Sequence, residues 1–127
     1  MSIDTSEYDR ISDRIIGCAF TVANTLGVGF AEKVYENALT LEMRERGLTV
    51  EQQYAMTVRY RGAVIGEYVA DLLVEDRIIV ELKVVKALSD PHFAQCLNYL
   101  RAGNKSLCLL MNFGHAKIEV RRVVNGF

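Results

Sequence analysis

Two neighbouring apolar runs, residues 63–74 and 77–85, constrain the fold most. Each run predicts a buried β-strand, and only a short polar segment separates them. Three charged residues, Asp71, Glu81 and Lys83, lie between apolar neighbours in the most apolar part of these runs. Because an unpaired charge is expensive to bury, these side chains need either partners or a chemical role.

The length of the turn determines whether the two carboxylates share a face of the sheet. A two-residue turn would pair Asp71 with Val80 and point its side chain away from Glu81. A three-residue turn, Glu75-Asp76-Arg77, would place Asp71 opposite Glu81. We predict the three-residue turn, or a bulge with the same effect.

Hydrophobic periodicity predicts the elements around this hairpin. The predicted order is α-α-β-β-β-α-β-β, an α/β (α+β) fold whose mixed sheet is flanked by helices. The third helix has the right length for a crossover connection between parallel strands. The last two strands read as a buried central strand and a half-exposed edge strand. The other predicted elements are helices over about 9–26, 31–46 and 89–103, and strands over about 49–60, 106–113 and 117–124.

Two helices have predicted inner stripes that the fold can test. The second helix is expected to face inward through Val34, Ala38 and Leu41, and the third through Phe93, Leu97 and Leu100. On the third helix this stripe would leave Gln95 and Tyr99 on a different face.

Length and charge narrow the class of protein. The chain has 127 residues, which predicts a single domain over 1–127, and its net charge of −1 provides no global basic field for nucleic acid. The polar start and the lack of a long apolar run argue against a signal peptide and a transmembrane helix. The cysteines, Cys18, Cys96 and Cys108, lie in apolar settings and predict buried free thiols. Together these features predict a cytoplasmic protein.

The charges of the hairpin have two interpretations. Lys83 follows Glu81 by two residues and shares its face, so it can form a partly buried ion pair with Asp71 or Glu81. One lysine cannot neutralise two carboxylates, however, and clustered carboxylates raise a pKa or attract a cation. A divalent ion with oxygen ligands would satisfy both groups.

The spacing of these residues resembles a known nuclease pattern. Asp71 and the segment Glu81-Leu82-Lys83 are similar to the core motif of the PD-(D/E)XK nuclease superfamily, although Ala70 stands where the motif has proline. The segment 29–35 resembles the G-x-x-E-x-x-Y signature of a small bacterial family in that superfamily. Residues 95–99 and 112–114 resemble further elements of that family, so the resemblance covers most of the chain and implies a restriction-endonuclease-like core.

The resemblance implies a chemistry and a set of residues. Asp71, Glu81 and the backbone carbonyl of Leu82 would bind Mg²⁺ (or Mn²⁺), and Glu32 would be a further carboxylate near the metal. Lys83 would orient the attacking water or offset charge at the phosphate, and Gln95 would support it. The implied function is metal-dependent hydrolysis of phosphodiester bonds, in DNA rather than RNA.

Other residues are weaker candidates. Tyr35 and Tyr99 either contact substrate or only pack, and Lys86 and Arg101 are candidate phosphate contacts, as are Lys105, Arg121 and Arg122. No aromatic and basic platform for bases is evident in the sequence. A chain of this size is expected to dimerise or to use a partner protein to hold a duplex. The alternative function is a non-catalytic nucleic-acid-binding or assembly module that keeps the fold.

Overall fold

The computed structural model describes residues 5–125 as three helices and one five-stranded sheet. The order of elements is the predicted one. In chain order the elements are α1 (Thr5–Leu26), α2 (Glu32–Glu45), β1 (Val50–Tyr60), β2 (Ala63–Val74), β3 (Ile78–Lys83), α3 (Asp90–Gly103), β4 (Leu107–Asn112) and β5 (Glu119–Val124).

The strands form a mixed sheet in the order β1-β2-β3-β4-β5. Every neighbouring pair is antiparallel except β3 and β4, which run parallel and are joined through α3. This confirms the predicted crossover helix. Strand β4 is buried along its whole length and β5 is a partly exposed edge strand, also as predicted. The mixed α/β sheet between helices confirms the predicted fold class.

The turn between β2 and β3 has the predicted length. Val74 pairs with Ile78 and Leu72 with Val80, so three residues, 75–77, form the connection. Glu75 and Asp76 both have positive φ, at 54° and 56°, which a tight strand reversal requires. The register places Asp71 opposite Glu81.

The sheet separates two apolar clusters. The cluster under α1 and α2 contains one face of β3 and β4, and the cluster under α3 contains the other face together with Met56 and Ala70. On α1, Ile11, Ile15 and Ala19 recur at helical spacing and are buried against the sheet. The three cysteines are buried thiols, as predicted. None of the helices within residues 5–125 is long and apolar enough to cross a membrane.

The predicted inner stripes of α2 and α3 are correct only in part, since Ala38 on α2 and Phe93 and Leu100 on α3 pack against the apolar clusters. Val34 and Leu41 are 39% and 60% exposed, and the buried stripe of α2 is Tyr35, Leu39 and Met43. Both stripes have helical spacing, so periodicity alone could not select between them. On α3 the exposed residue is Leu97, whereas Cys96, Tyr99 and Leu100 pack against the sheet. Tyr99 therefore lies on the packed face that the sequence assigned to other residues.

Two boundaries moved for identifiable reasons. Helix α1 begins at Thr5, before the predicted start. Its first turn is polar, so hydrophobic periodicity could not reveal it, and Glu7 in that turn pairs with Arg77. Strand β3 ends at Lys83 rather than Val85 because the next backbone segment bonds to a side chain: Val85 N–H donates to Asn112 Oδ1.

Candidate active site

Asp71 and Glu81 contact each other at the end of the β2–β3 pairing. The ladder stops at Leu72 and Val80, and beyond it side chains replace backbone partners. The N–H of Asp71 donates to Glu81 Oε1 at 3.0 Å, and the N–H of Leu82 donates to Asp71 Oδ2 at 2.9 Å. The two carboxylates are thus held reciprocally by the strands that carry them, which is a rigid arrangement.

An irregularity in β2 accompanies this arrangement. The regular pairing of β1 with β2 is interrupted where Gln53 lies opposite Asp71, and Gln53 has a φ of 55°. Ala70 and Leu73 both pack under α3 although they are three residues apart, so the alternation of faces breaks at Asp71. Irregular strand geometry of this kind re-aims a side chain and is frequent beside functional sites.

Lys83 lies next to the acid pair and is held by α3. Its Nζ is 3.6 Å from Glu81 Oε2 and donates to Gln95 Oε1 at 2.8 Å. The ammonium group is mostly buried, with 15% of the side chain exposed. The structure therefore brings together Asp71, Glu81, Lys83 and Gln95, which the sequence had grouped.

The ionisation of the pair is perturbed. Burial, followed by the charge of Asp71, raises the pKa of Glu81 from its ordinary value to about 8. Burial also raises the pKa of Asp71, although the hydrogen bond from the Leu82 backbone opposes the shift. Lys83 offsets only part of the negative charge. Without a further cation, the pair is inclined to hold a proton.

The turn before α2 brings Glu32 towards the pair. Gly29 has a φ of 110°, which favours glycine, and the turn is fastened by Tyr35, whose hydroxyl donates to Gly27 O at 2.5 Å. Partial burial of the Glu32 carboxyl, and then the charge of Asp71, raise its pKa. Tyr35 itself is fully buried and stacks on Phe113, with ring centroids 4.9 Å apart. Its contacts place it in the support of the turn, not on a surface that substrate could reach.

Glu36 is a carboxylate that the sequence reasoning missed. It is 3% exposed, and Lys33 Nζ and Gln52 Nε2 donate to its Oε2 at 3.0 and 2.9 Å. Gln53 Nε2 also donates to it, at 3.2 Å to either oxygen. Its charge contributes to raising the pKa of Asp71. The only sequence signal was its i, i+4 spacing from Glu32, which places both on one side of α2.

The strand end after Lys83 is fixed by the segment 112–114. Asn112 is buried, its Oδ1 accepts the N–H groups of Val85 and Gly114, and its Nδ2 donates to Val85 O. A Cβ at Gly114 would lie 2.3 Å from Val85 O, so only glycine fits there. The segment 112–114, one of those that resemble the family, thus supports the backbone next to Lys83 and makes no hydrogen bond to Asp71 or Glu81.

The weaker candidates are spread around the site. Tyr99 is 5% exposed, and burial, then the charges of Glu81 and Asp71, raise its pKa. Lys86 and Arg101 are exposed. The other basic candidates are engaged elsewhere, Lys105 with Asp76, Arg121 with Glu119 and Arg122 with Asp9.

The carboxylates do not form a ready three-acid metal centre. Within residues 5–125, no three His, Cys, Asp or Glu side chains are placed to share one metal ion. Glu32 is close enough to Asp71 for the charge of Asp71 to raise the pKa of Glu32, but Glu32 does not complete such a cluster. The two acids that do meet each keep one oxygen, Oδ1 of Asp71 and Oε2 of Glu81, that accepts no backbone N–H.

Comparison with known proteins agrees with the core motif. A profile described as the PD-(D/E)XK nuclease superfamily matches residues 9–123. The crystal structure of a protein named SSO0001 matches the fold with a TM-score of 0.60 and 15% sequence identity. The match covers 75% of this chain and 50% of that protein, so the present chain spans about half of its length. The comparison with curated proteins gave no match.

Proposed function

This chain belongs to the PD-(D/E)XK nuclease superfamily, and from that premise we propose that it is a metal-dependent nuclease that hydrolyses phosphodiester bonds. The observation that carries the proposal is the contact of Asp71 with Glu81 beside Lys83. A module that only binds nucleic acid has no use for two carboxylates at the surface that meets a polyanion, because they would repel phosphate.

The donor set fits a hard divalent cation. Two carboxylates are buried together, and the pKa of Glu81 is raised to about 8 by burial and by Asp71. A divalent cation with oxygen ligands would stabilise the ionised form of Glu81 against both burial and the negative charge of Asp71. Asp71 and Glu81 would hold Mg²⁺ or Mn²⁺, with Glu32 as a further carboxylate. The N–H of Leu82 points to Asp71, and in an extended strand the carbonyl of the same residue faces the same neighbour, which supports Leu82 O as a third ligand.

The chain's own residues divide the remaining work. When bound, the cation would lower the pKa of a water and offset charge on the phosphate. Lys83 is positioned to orient that water or to stabilise the negative charge that develops on the phosphate oxygens. Gln95 holds the Lys83 ammonium with its side-chain oxygen at 2.8 Å and so acts as a positioning residue. Tyr99 closes the site on the α3 side, and Lys86 and Arg101 are exposed cations for flanking phosphates.

The proposal also covers the family, the substrate, the cellular location and the assembly of the protein. We place the chain in the G-x-x-E-x-x-Y family, on the strength of Gly29, Glu32 and Tyr35. DNA is the proposed substrate in preference to RNA. The protein acts in the cytoplasm as one domain, either as a homodimer or with a partner protein.

The test is cleavage of labelled DNA and RNA with Mg²⁺ or Mn²⁺. Glu81→Ala and Lys83→Ala should each lower the cleavage rate on the order of 10²-fold or more. The first removes a ligand of the cation, and the second removes a positive charge beside the reacting phosphate. Gln95→Ala should lower it less, since the ammonium group remains.

Glu67→Gln is the matched control. Glu67 is an exposed carboxylate on the same strand as Asp71, so its loss removes equal charge without touching the site. Equal rates in wild type, Glu81→Ala and Lys83→Ala would show that the cleavage comes from a contaminant. Binding without cleavage under all metal conditions would favour the alternative, a non-catalytic module.

A further inference from the structure

A groove lies between the β1–β2 hairpin and α3, on the same face of the sheet as the acid pair. Its volume is about 420 Å³, which falls within the range of ~300–1,000 Å³ that binding pockets for small ligands occupy. None of its lining residues is acidic. They are Thr57, Val58, Arg59, Tyr68, Asn98, Arg101 and Ala102.

The groove has cations at both of its walls. Arg59 belongs to β1 and Arg101 to α3, and both are exposed. Within the part of the chain that the structure describes, neither guanidinium group makes a hydrogen bond or an ion pair. Two unpaired arginines that face one polar groove form a site for anions, and planar guanidinium groups suit phosphate oxygens in particular.

An aromatic ring lines the same groove. Tyr68 is 36% exposed, and its ring meets the ring of Tyr99 edge to face at a centroid distance of 5.9 Å. This contact orients the Tyr68 ring, and part of the ring surface stays open to solvent. The sequence suggested no aromatic and basic platform, because these residues are far apart along the chain and come together only in the fold.

Tyr99 lies between the groove and the acid pair. Tyr99 packs against Tyr68 on one side, and on the other it is close enough to Glu81 and Asp71 for their charges to act on its hydroxyl. A chain of nucleotides bound in the groove would therefore lie next to the acid pair, with the Tyr99 ring between them.

We propose that this groove binds an unpaired nucleic-acid strand beside the scissile phosphate, with Arg59 and Arg101 on backbone phosphates and Tyr68 stacked on a base. The inference rests on the proposed nuclease function, and it adds the strandedness of the bound segment. Asn98, an exposed residue of α3 that also lines the groove, offers an amide to the edge of that base.

The test measures binding without cleavage. A labelled oligothymidylate and a duplex of equal length are titrated in EDTA, with fluorescence anisotropy as the readout, over a series of salt concentrations. Arg59→Gln and Arg101→Gln should each weaken binding of the single strand about tenfold and reduce the salt slope by about 0.7. Tyr68→Leu should weaken it at least about fivefold with an unchanged salt slope, because stacking carries no charge.

Arg10→Gln is the control for the loss of one charge. Arg10 is an exposed arginine on α1, which packs on the opposite face of the sheet. Unchanged affinity in both groove arginine variants, or an equal loss in Arg10→Gln, would overturn the proposal. Preferred binding of the duplex with no effect of Tyr68→Leu would also overturn it. Because the two arginines are exposed, their variants decide the matter even where Tyr68→Leu folds poorly.

The outcomes separate this inference from the nuclease proposal. If binding depends on the groove residues but the protein never cleaves, the groove proposal stands and the nuclease proposal fails. If cleavage depends on Glu81 and Lys83 but substitution of Arg59 and Arg101 does not change binding, the nuclease proposal stands and the groove proposal fails.

Discussion

The carboxyl group of Glu81 is only 3% exposed and shares its surroundings with Asp71 and Lys83. Its Oε1 accepts the N–H of Asp71, and its Oε2 faces the ammonium of Lys83 at 3.6 Å. The hydrogen bond and the ion pair both favour ionisation, yet burial outweighs them and the pKa rises to about 8. Without a bound cation, ionised Glu81 is therefore a source of instability at neutral and basic pH.

This environment predicts a pH-dependent stability. The folded pKa of Glu81 lies above the ordinary value of 4.5, so the folded state binds more protons than the unfolded chain between about pH 4.5 and pH 8. The free energy of unfolding should therefore fall as pH rises through this window. Asp71 contributes in the same direction, because its pKa is also raised. Urea unfolding in EDTA at a series of pH values measures the slope.

Glu81→Gln identifies the group responsible for that slope. The amide keeps an oxygen that can accept the Asp71 N–H but cannot ionise, so the slope should flatten. Above pH 8 the variant should be more stable than wild type by roughly 1 kcal/mol or more. Glu67→Gln, which removes an exposed carboxylate, should keep the wild-type slope. A full slope in Glu81→Gln would show that another group titrates.

At the scale of elements, the strand ends hold the site in place. The three-residue turn sets the register of β2 on β3, and the segment 112–114 after β4 binds the backbone that follows Lys83. Phe113 N–H also donates to Lys83 O at 2.8 Å. The position of the Lys83 backbone is thus determined by two elements other than its own strand.

Gly114→Ala tests this support. The added Cβ would lie 2.3 Å from Val85 O and 2.9 Å from Val85 N, both backbone atoms that cannot rotate away. We expect the free energy of unfolding to fall by about 1–3 kcal/mol, as measured by urea denaturation. Cleavage should fall as well in the variant that remains folded, since the segment after Lys83 must move.

Gly17→Ala is the matched substitution. Gly17 lies inside α1, and the nearest atom to an added Cβ is a side-chain nitrogen of Arg46 at 3.9 Å. Removal of a helix-interior glycine should raise stability by about 0.5–1 kcal/mol. Equal effects of the two alanine substitutions would contradict the close approach of Gly114 to Val85.

For the molecule as a whole, cation binding should be coupled to folding. The acid pair joins β2 to β3, and the charges of Glu32 and Glu36 on α2 act on it, so the negative potential at the pair exists in the folded state only. A cation that binds the folded chain and not the unfolded one stabilises it by mass action.

This coupling can be measured without any substrate. Saturating Mg²⁺ or Mn²⁺ at pH 8 should raise the free energy of unfolding of the wild type by about 2.7 kcal/mol at a hundredfold excess over Kd, and its urea midpoint should rise accordingly. The double variant Asp71→Asn/Glu81→Gln should unfold at the same midpoint with and without the ion. A similar rise in both proteins would place the ion elsewhere.

The sequence alone determined the order of elements, the hairpin register and the grouping of Asp71, Glu81 and Lys83. These features follow from local periodicity and from turn length, which a single sequence encodes directly. It also identified Gln95, which reaches Lys83 from α3.

Only the tertiary structure decided which stripe of α2 faces inward, that Glu36 is buried beside the acids, and that Arg59, Tyr68 and Arg101 line one groove. Each of these depends on how a helix rotates and packs against a distant strand. That choice is made by the summed burial of many side chains, and local spacing does not contain it.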